Sequence, residues 1–360
     1  MSSNDPVTSE SPPEVQVPAS VICPMTTCPA ENPHDEEFCI KCGTPLKEEL
    51  QAVTAPAETQ SETAPVPADP LAVEETRLLT AVAYPVTLTS HGLTHPGLSG
   101  KNNEDAVVVD GAFFPKHNID IRFLVVVDGM GGEKAGEIAA NMAVHDISAG
   151  LWFLAPSFEQ HLDFGKLDFW RFANSQYARF LTNQIAAANT RVFNYGKAKK
   201  LKQGNFGATV VVAVAICDLD IGRVMIHGFV AGDPRCYLIL DDKTEQLSED
   251  QTIGGAPSSF LGAHAHLTGK AFSREVWMGE EGIQSLTLLT CSDGFWNMLG
   301  PSTYPELANQ GDAKSIGKTG LEKSLTVAEP FGRQFDPRVT TGDDNITLGI
   351  LKLTATRGVS

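Results

Sequence analysis

Basic residues are in short supply: 27 Lys and Arg stand against 44 Asp and Glu, a net charge of −17 at pH 7. A surface of that sign repels phosphate backbones and anionic lipid, which excludes a general nucleic-acid or membrane-surface binder. Long apolar runs are missing as well. The longest, VVVAVAIC at 210–217, falls far short of the ~20 residues that span a bilayer. The opening residues MSSNDPVTSE show neither the basic start nor the apolar stretch of a secretory signal. A soluble cytoplasmic chain is therefore expected. Aromatic residues are absent from 47–82, a stretch rich in Pro, Ala, Thr and Glu that reads as a disordered linker. Residues 1–20, rich in Ser, Pro and acids, read as disordered for the same reason: too little apolar surface to offset chain entropy.

Cysteine is sparse and unevenly placed. Cys217, Cys236 and Cys291 are scattered through apolar segments and are expected to be buried thiols, since a reducing compartment disfavours disulfides. The other four, Cys23, Cys28, Cys39 and Cys42, crowd into residues 21–46 with the spacing C-x4-C-x10-C-x2-C. Four thiolates at such spacing close a tetrahedral zinc shell, so a zinc ribbon with one structural Zn²⁺ is expected over 21–46. A segment of this size builds no core of its own, and the metal would supply most of its folding free energy. Glu31, Asp35, Glu36 and Glu37 outnumber Lys41 there, which points the ribbon towards a protein partner or a scaffolding role and away from nucleic acid.

From 83 to 360 the patterning is globular. Strand-like runs occur at 86–91, 106–110, 121–127, 208–217, 224–231, 235–240, 285–291 and 345–353. Two helical patterns interrupt them. In 136–154, Ile138, Met142, Val144, Ile147 and Leu151 fall near one face; 169–198 repeats the pattern over a longer span. Strands joined mostly by short turns, with helices grouped between them, suggest an α+β domain of antiparallel sheets covered by helices and not a wound parallel sheet.

One run, FLVVVDGMGG at 123–132, ends an apolar strand on Asp128 followed by glycines. The pattern recurs. Glu104 and Asp105 precede a strand in NNEDAVVV, Asp233 sits in the turn of VAGDPRCYLIL, Asp293 ends LTLLTCSDG, and Asp343 and Asp344 precede NITLGILKL. One such acid is ordinarily a turn residue or a helix cap. Several at one edge of a layered sheet would repel one another unless cations neutralised them, and hard oxygen ligands select magnesium or manganese. The glycines form no phosphate-cradling loop, because DGMGGEK lacks the G-x-x-x-x-G-K-[ST] spacing.

Taken in order, N-E-D, V-D-G-M-G-G, G-A-T-V, G-D-x-R, C-S-D-G-F-W and D-N-I-T resemble the metal-dependent type-2C protein serine/threonine phosphatases, the PPM family, in their bacterial branch. The resemblance runs from about Val86 to Leu353. It implies a four-layer α-β-β-α sandwich of two antiparallel sheets flanked by helices, acting on phosphorylated proteins. It also implies two Mn²⁺ or Mg²⁺ ions that activate a water without a phosphoenzyme. By the same resemblance Asp128 bridges the ions and Gly129 offers its carbonyl. Asp293 and Asp344 complete the first ion's ligands, Glu104 and Asp105 hold bound waters, and Asp233 serves a weaker third ion.

The chain departs from the family at three places. Gly100 stands where the family has a phosphate-gripping Arg, leaving Lys101 beside it as a point charge in place of a bidentate fork. Pro234 replaces the Ser of the G-D-S-R turn, and the flap region 247–267 is short. These departures keep open a second class, a catalytically weak or inactive module that binds phosphoproteins or a regulatory partner. Phe295, Trp296 and Met298 are expected in the core.

Overall fold

The computed structural model describes residues 20–22, 31–33, 77–78, 81–131, 135–201 and 206–356. The chain divides into two units, Met1–Pro67 and Ala68–Ser360. In the first, β1 (Ser20–Ile22) pairs antiparallel with β2 (Glu31–Pro33). Cys23, Cys28, Cys39 and Cys42 lie outside the described residues, as do 1–19 and nearly all of the 47–82 linker.

In the second unit, two five-stranded antiparallel sheets carry the fold. The first has the order β12-β7-β6-β5-β4, built from β4 (Asp105–Phe114), β5 (Ile119–Met130), β6 (Gly207–Asp218), β7 (Arg223–Ala231) and β12 (Lys270–Trp277). The second has the order β3-β14-β13-β8-β9, from β3 (Val86–His95), β8 (Arg235–Leu240), β9 (Lys243–Gln246), β13 (Ser285–Cys291) and β14 (Ile346–Ala355). A small hairpin of β10 (Thr252–Ile253) and β11 (Ala256–Pro257) interrupts the flap.

The unbroken apolar runs of β5 and β6 follow from burial on both faces. Leu124 and Val126 point between the sheets with Val211, Ala213, Leu238, Leu288 and Leu351. Their neighbours Phe123, Val125 and Val127 point the other way, into a layer of helices. Each fully buried Val, Leu or Ile stabilises by roughly 1.5–3 kcal/mol. That outer layer is α1 (Ala135–Trp152), α2 (Ala155–Phe164) and α3 (Lys166–Ala198). The short α4 (Met278–Glu281) follows β12 and touches β7 and β12 of the first sheet, whereas on the far side α5 (Asp293–Trp296), α6 (Tyr304–Ala308) and α7 (Ala313–Thr326) follow β13. Phe295, Tyr304, Leu307 and Ile316 from these helices cover Tyr237, Leu289 and Leu348. The result is the expected four layers.

Several details differ from the pattern reading. The inner face of α1 is Ala139, Ala140, Ala143, Val144, Ile147 and Leu151, whereas Ile138 is 38% exposed. The small alanines let the helix lie close on β5, and Ile138 sits about 100° off that stripe. Residues 135–164 are long and apolar enough to cross a membrane by composition, yet they form two helices whose inner faces pack on the first sheet. Helix α7 carried no clear apolar period because small residues share its packing with Ile316: Gly317 lies against His91 and Ile350, and Gly320 against Phe295 and Leu307. Edge strand β12 is charged, as edges are. Arg77 and Leu78, linker by composition, pack onto the domain: Arg77 lies 4.2 Å over the Trp277 ring and pairs with Glu280 at 2.6 Å, and Leu78 packs on the first-sheet core.

Candidate active site

Strand register gathers the acids. Asp105, at the start of β4, is the cross-strand partner of Asp128 near the end of β5, and Asp128 in turn faces Thr209 on β6. In the second sheet Cys291 pairs with both Arg235 and Leu348, so Asp293 and Asp344 leave at the same edge. Asp233 sits in the turn that joins β7 of one sheet to β8 of the other. One rim of the sandwich thus holds Asp105, Asp128, Asp233, Asp293 and Asp344, with Glu104 beside them.

Backbone packing fixes this rim. A Cβ on Gly129 would meet the Gly136 carbonyl at 2.2 Å, and one on Gly294 would meet the Asn345 carbonyl at 2.0 Å. The glycine after each acid is needed because two segments cross there without room for a side chain. Asn345 ties the loops together. Its Oδ1 accepts from the Glu104 N–H at 2.8 Å, and its Nδ2 donates to the Pro96 and Asn102 carbonyls at 3.1 and 3.2 Å. Ser292 and Thr347 exchange hydrogen bonds across the strand ends, with the Thr347 N–H donating to Ser292 Oγ at 3.1 Å.

Electrostatically the rim is frustrated. Burial raises Asp128 well above the ordinary carboxylate value, and repulsion from Asp105, Asp293, Asp344 and Asp233 adds to it. Burial likewise raises Asp293, with Asp344, Asp233 and Asp105 reinforcing the effect. Asp105 is pushed up to about 7, chiefly by burial, although the hydroxyls of Thr347 and Ser292 partly offset this. Asp233 rises to about 6 through burial and the neighbouring Asp250, against the pull of Arg235. Glu104 is raised by burial and by Asp344, and lowered by Lys101 among others. Three buried oxygens at the rim, Glu104 Oε1, Asp105 Oδ2 and Thr209 Oγ1, have no hydrogen-bond partner. Orphaned carboxylate oxygens in low dielectric are what a divalent cation satisfies. Among the described residues no three His, Cys, Asp or Glu side chains close into a ready-made metal cage.

Lys101 is exposed at the rim, its Nζ 3.4 Å from the Asp343 carbonyl. Gly100 next to it has φ +74° with open space around it, so the Arg found there in the family would strain this backbone. Phe295 and Met298 are buried as expected, but Trp296 is only partly so and has a different task. Its Nε1 donates to the Asp233 carbonyl at 3.0 Å, while its ring lies 3.6 Å under the Arg235 guanidinium. Arg235 grips Asp250 of the flap through Nη2 at 2.7 Å. This clamp, together with Asn345 and Thr209, went unassigned from the sequence although all lie within or beside the quoted motifs. Their roles depend on contacts between distant segments.

No family model matches the chain. A serine/threonine phosphatase stp of Listeria welshimeri is 27% identical over 286 residues, covering 71% of this chain and 92% of the relative. PppA of Pseudomonas aeruginosa, titled a key regulatory component of T6SS, shares the fold with a TM-score of 0.52 at 20% identity, covering 76% of this chain and all of that one. The catalytic domain of the serine threonine protein phosphatase PstP, solved with 2 manganese ions, does so with a TM-score of 0.50 at 20% identity over 75% of this chain and 99% of that one. Motif order, sandwich architecture and these relatives agree: in sequence the chain is similar to bacterial type-2C, or PPM, serine/threonine phosphatases, and it shares the fold of the solved ones.

Proposed function

We propose that this protein hydrolyses phosphoserine and phosphothreonine in cytoplasmic proteins with the help of two Mn²⁺ or Mg²⁺ ions. The observation that carries the proposal is the rim of mutually repelling acids with orphaned oxygens on Glu104 and Asp105. Asp128 would be shared between the two ions, with the Gly129 carbonyl, Asp293 and Asp344 as further ligands. Glu104 and Asp105 would hold bound waters, and Asp233 a weaker third ion. Bound there, the ions would acidify a water and offset charge on the phosphoryl oxygens.

The chain's own groups do the rest. The apolar strand ends behind Asp128 exclude bulk water and keep the carboxylates in low dielectric. The Arg235–Trp296 stack holds the Asp233 turn and the flap root in one position. Lys101, exposed at the rim with its Nζ on the Asp343 carbonyl, draws the substrate phosphate towards the rim as a point charge. Manganese-dependent release of phosphate from a phosphothreonine peptide tests the assignment directly. A manganese-loaded protein without turnover would favour the non-catalytic, phosphoprotein-binding reading. Lys101→Met should raise KM several-fold and leave kcat within about twofold, the signature of lost uniform binding. A drop in kcat with KM unchanged would remove Lys101 from ground-state phosphate recognition.

Four cysteines at ribbon spacing further support one structural zinc on Cys23, Cys28, Cys39 and Cys42, with a protein as the ribbon's partner. Metal analysis of the full chain should find one zinc that Cys42→Ser abolishes. Full zinc retention in that variant would refute the ribbon.

A further inference from the structure

The proposed chemistry leaves unused a polar cavity of about 480 Å³ at the other end of the second sheet. Thr87, Thr89, Ser285, Lys352 and Thr354 line it, with Asp312 among the residues around it. Cross-strand register makes two rows. Lys352 of β14 sits between Thr89 of β3 and Thr287 of β13, and Thr354 sits between Thr87 and Ser285. Cross-strand partners share a face, so hydroxyls flank a single ammonium.

Lys352 is unusual for its charge. It is 7% exposed, and its Nζ donates to the Ala308 carbonyl at the end of α6, which uses one of three N–H groups. Burial lowers its pKa, and the acid that acts on it is Asp241. Both Asp241 oxygens already accept from backbone, Oδ1 from the Gln284 and Ser285 N–H groups and Oδ2 from Gln284. A buried ammonium with donors left over is costly unless an acceptor reaches it. Thr89 offers a second donor: its Oγ1 already accepts from the Ala313 N–H at 3.1 Å, which leaves its own proton to give. Thr287 Oγ1, beside Lys352 in the register and 1% exposed, has no partner at all.

We infer that this cavity binds a small polar monocarboxylate, its carboxylate received by Lys352 Nζ and Thr89 Oγ1 and its remaining polar atoms by Ser285 and Thr354. One cation sets the charge of the ligand. Asp312 stays anionic as the N-cap of α7, its Oδ1 accepting from the Ser315 N–H at 2.8 Å, and would repel a phosphate dianion. The cavity lies about 20 Å along β14 from Ile346, at ~3.3 Å per residue, and is therefore separate from the acidic rim.

Binding is measured on the full chain in EDTA, by thermal melts in lactate, acetate or inorganic phosphate at ionic strength matched with chloride. Ligand that binds only the folded state raises the melting temperature saturably. The expected result is a saturable rise with lactate and acetate and none with phosphate. Lys352→Met should weaken lactate at least tenfold; Thr89→Val should weaken it, while Thr89→Ser retains it. The Thr89 pair decides the matter if Lys352→Met fails to fold. The inference is overturned by no saturable response to either carboxylate, by a response that survives Lys352→Met or Thr89→Val, or by tighter Lys352-dependent binding of phosphate. Since no turnover is involved, none of these outcomes bears on the phosphatase proposal.

Discussion

Asp128→Asn is expected to reduce manganese-dependent turnover by well over 100-fold while the protein stays folded. Outer-shell partners of a metal site already cost roughly 10–100-fold when lost, and a carboxylate shared between two cations should exceed that. Asp128 pairs with Asp105 in the strand register and is raised by four other acids, so it sits at the electrostatic centre of the rim. The same change has an opposite effect on the metal-free protein. Removing a buried charge that repels its neighbours should raise the melting temperature in EDTA. Steady-state kinetics and thermal melts on one preparation check both halves. Turnover within tenfold of wild type would show that Asp128 is no shared ligand.

Without divalent ions, the fold should lose stability as pH rises from about 4 to about 7. Unfolded, these acids release their protons near the ordinary value of about 3.9. In the folded metal-free chain Asp105 keeps its proton up to about 7 and Asp233 up to about 6. The folded state therefore binds more protons than the unfolded state through this window, and stability falls with rising pH. Below the window the penalty is absent; above it the penalty is complete, on the order of a few kcal/mol. Manganese offsets it by binding the ionised folded form, so its stabilisation should be large near pH 8 and small near about pH 4.5. Calorimetry across this range, with EDTA and with manganese, measures both. Metal-free stability that climbs between pH 4 and 7 would contradict the raised values and, with them, the crowding of the acids.

Much of the fold is legible along the chain because a strand buried on both faces leaves a continuous apolar run. Leu124 to Val127 and Val210 to Ile216 show this, and the sheets run where those runs lie. Segments that pack through small or charged residues were silent. Ala313, Gly317 and Gly320 make much of the buried face of α7 beside Ile316, and β12 is an edge strand. Ile138 misled because an apolar residue on a helix need not lie on the stripe that the sheet selects.

At the site the same division holds. Residue types and motif order named the acids, since apolar strands that end on Asp-Gly are conspicuous in one dimension. Tertiary structure alone decided that Asp105 faces Asp128, that Asn345 pins Glu104, that Arg235 and Trp296 clamp the Asp233 turn, and that Lys352 is buried beside a cavity. Hydrophobic periodicity is a local property readable from neighbours in sequence. Charge repulsion, steric need for glycine and desolvation arise between segments a hundred or more residues apart, and only the folded chain brings those segments within reach.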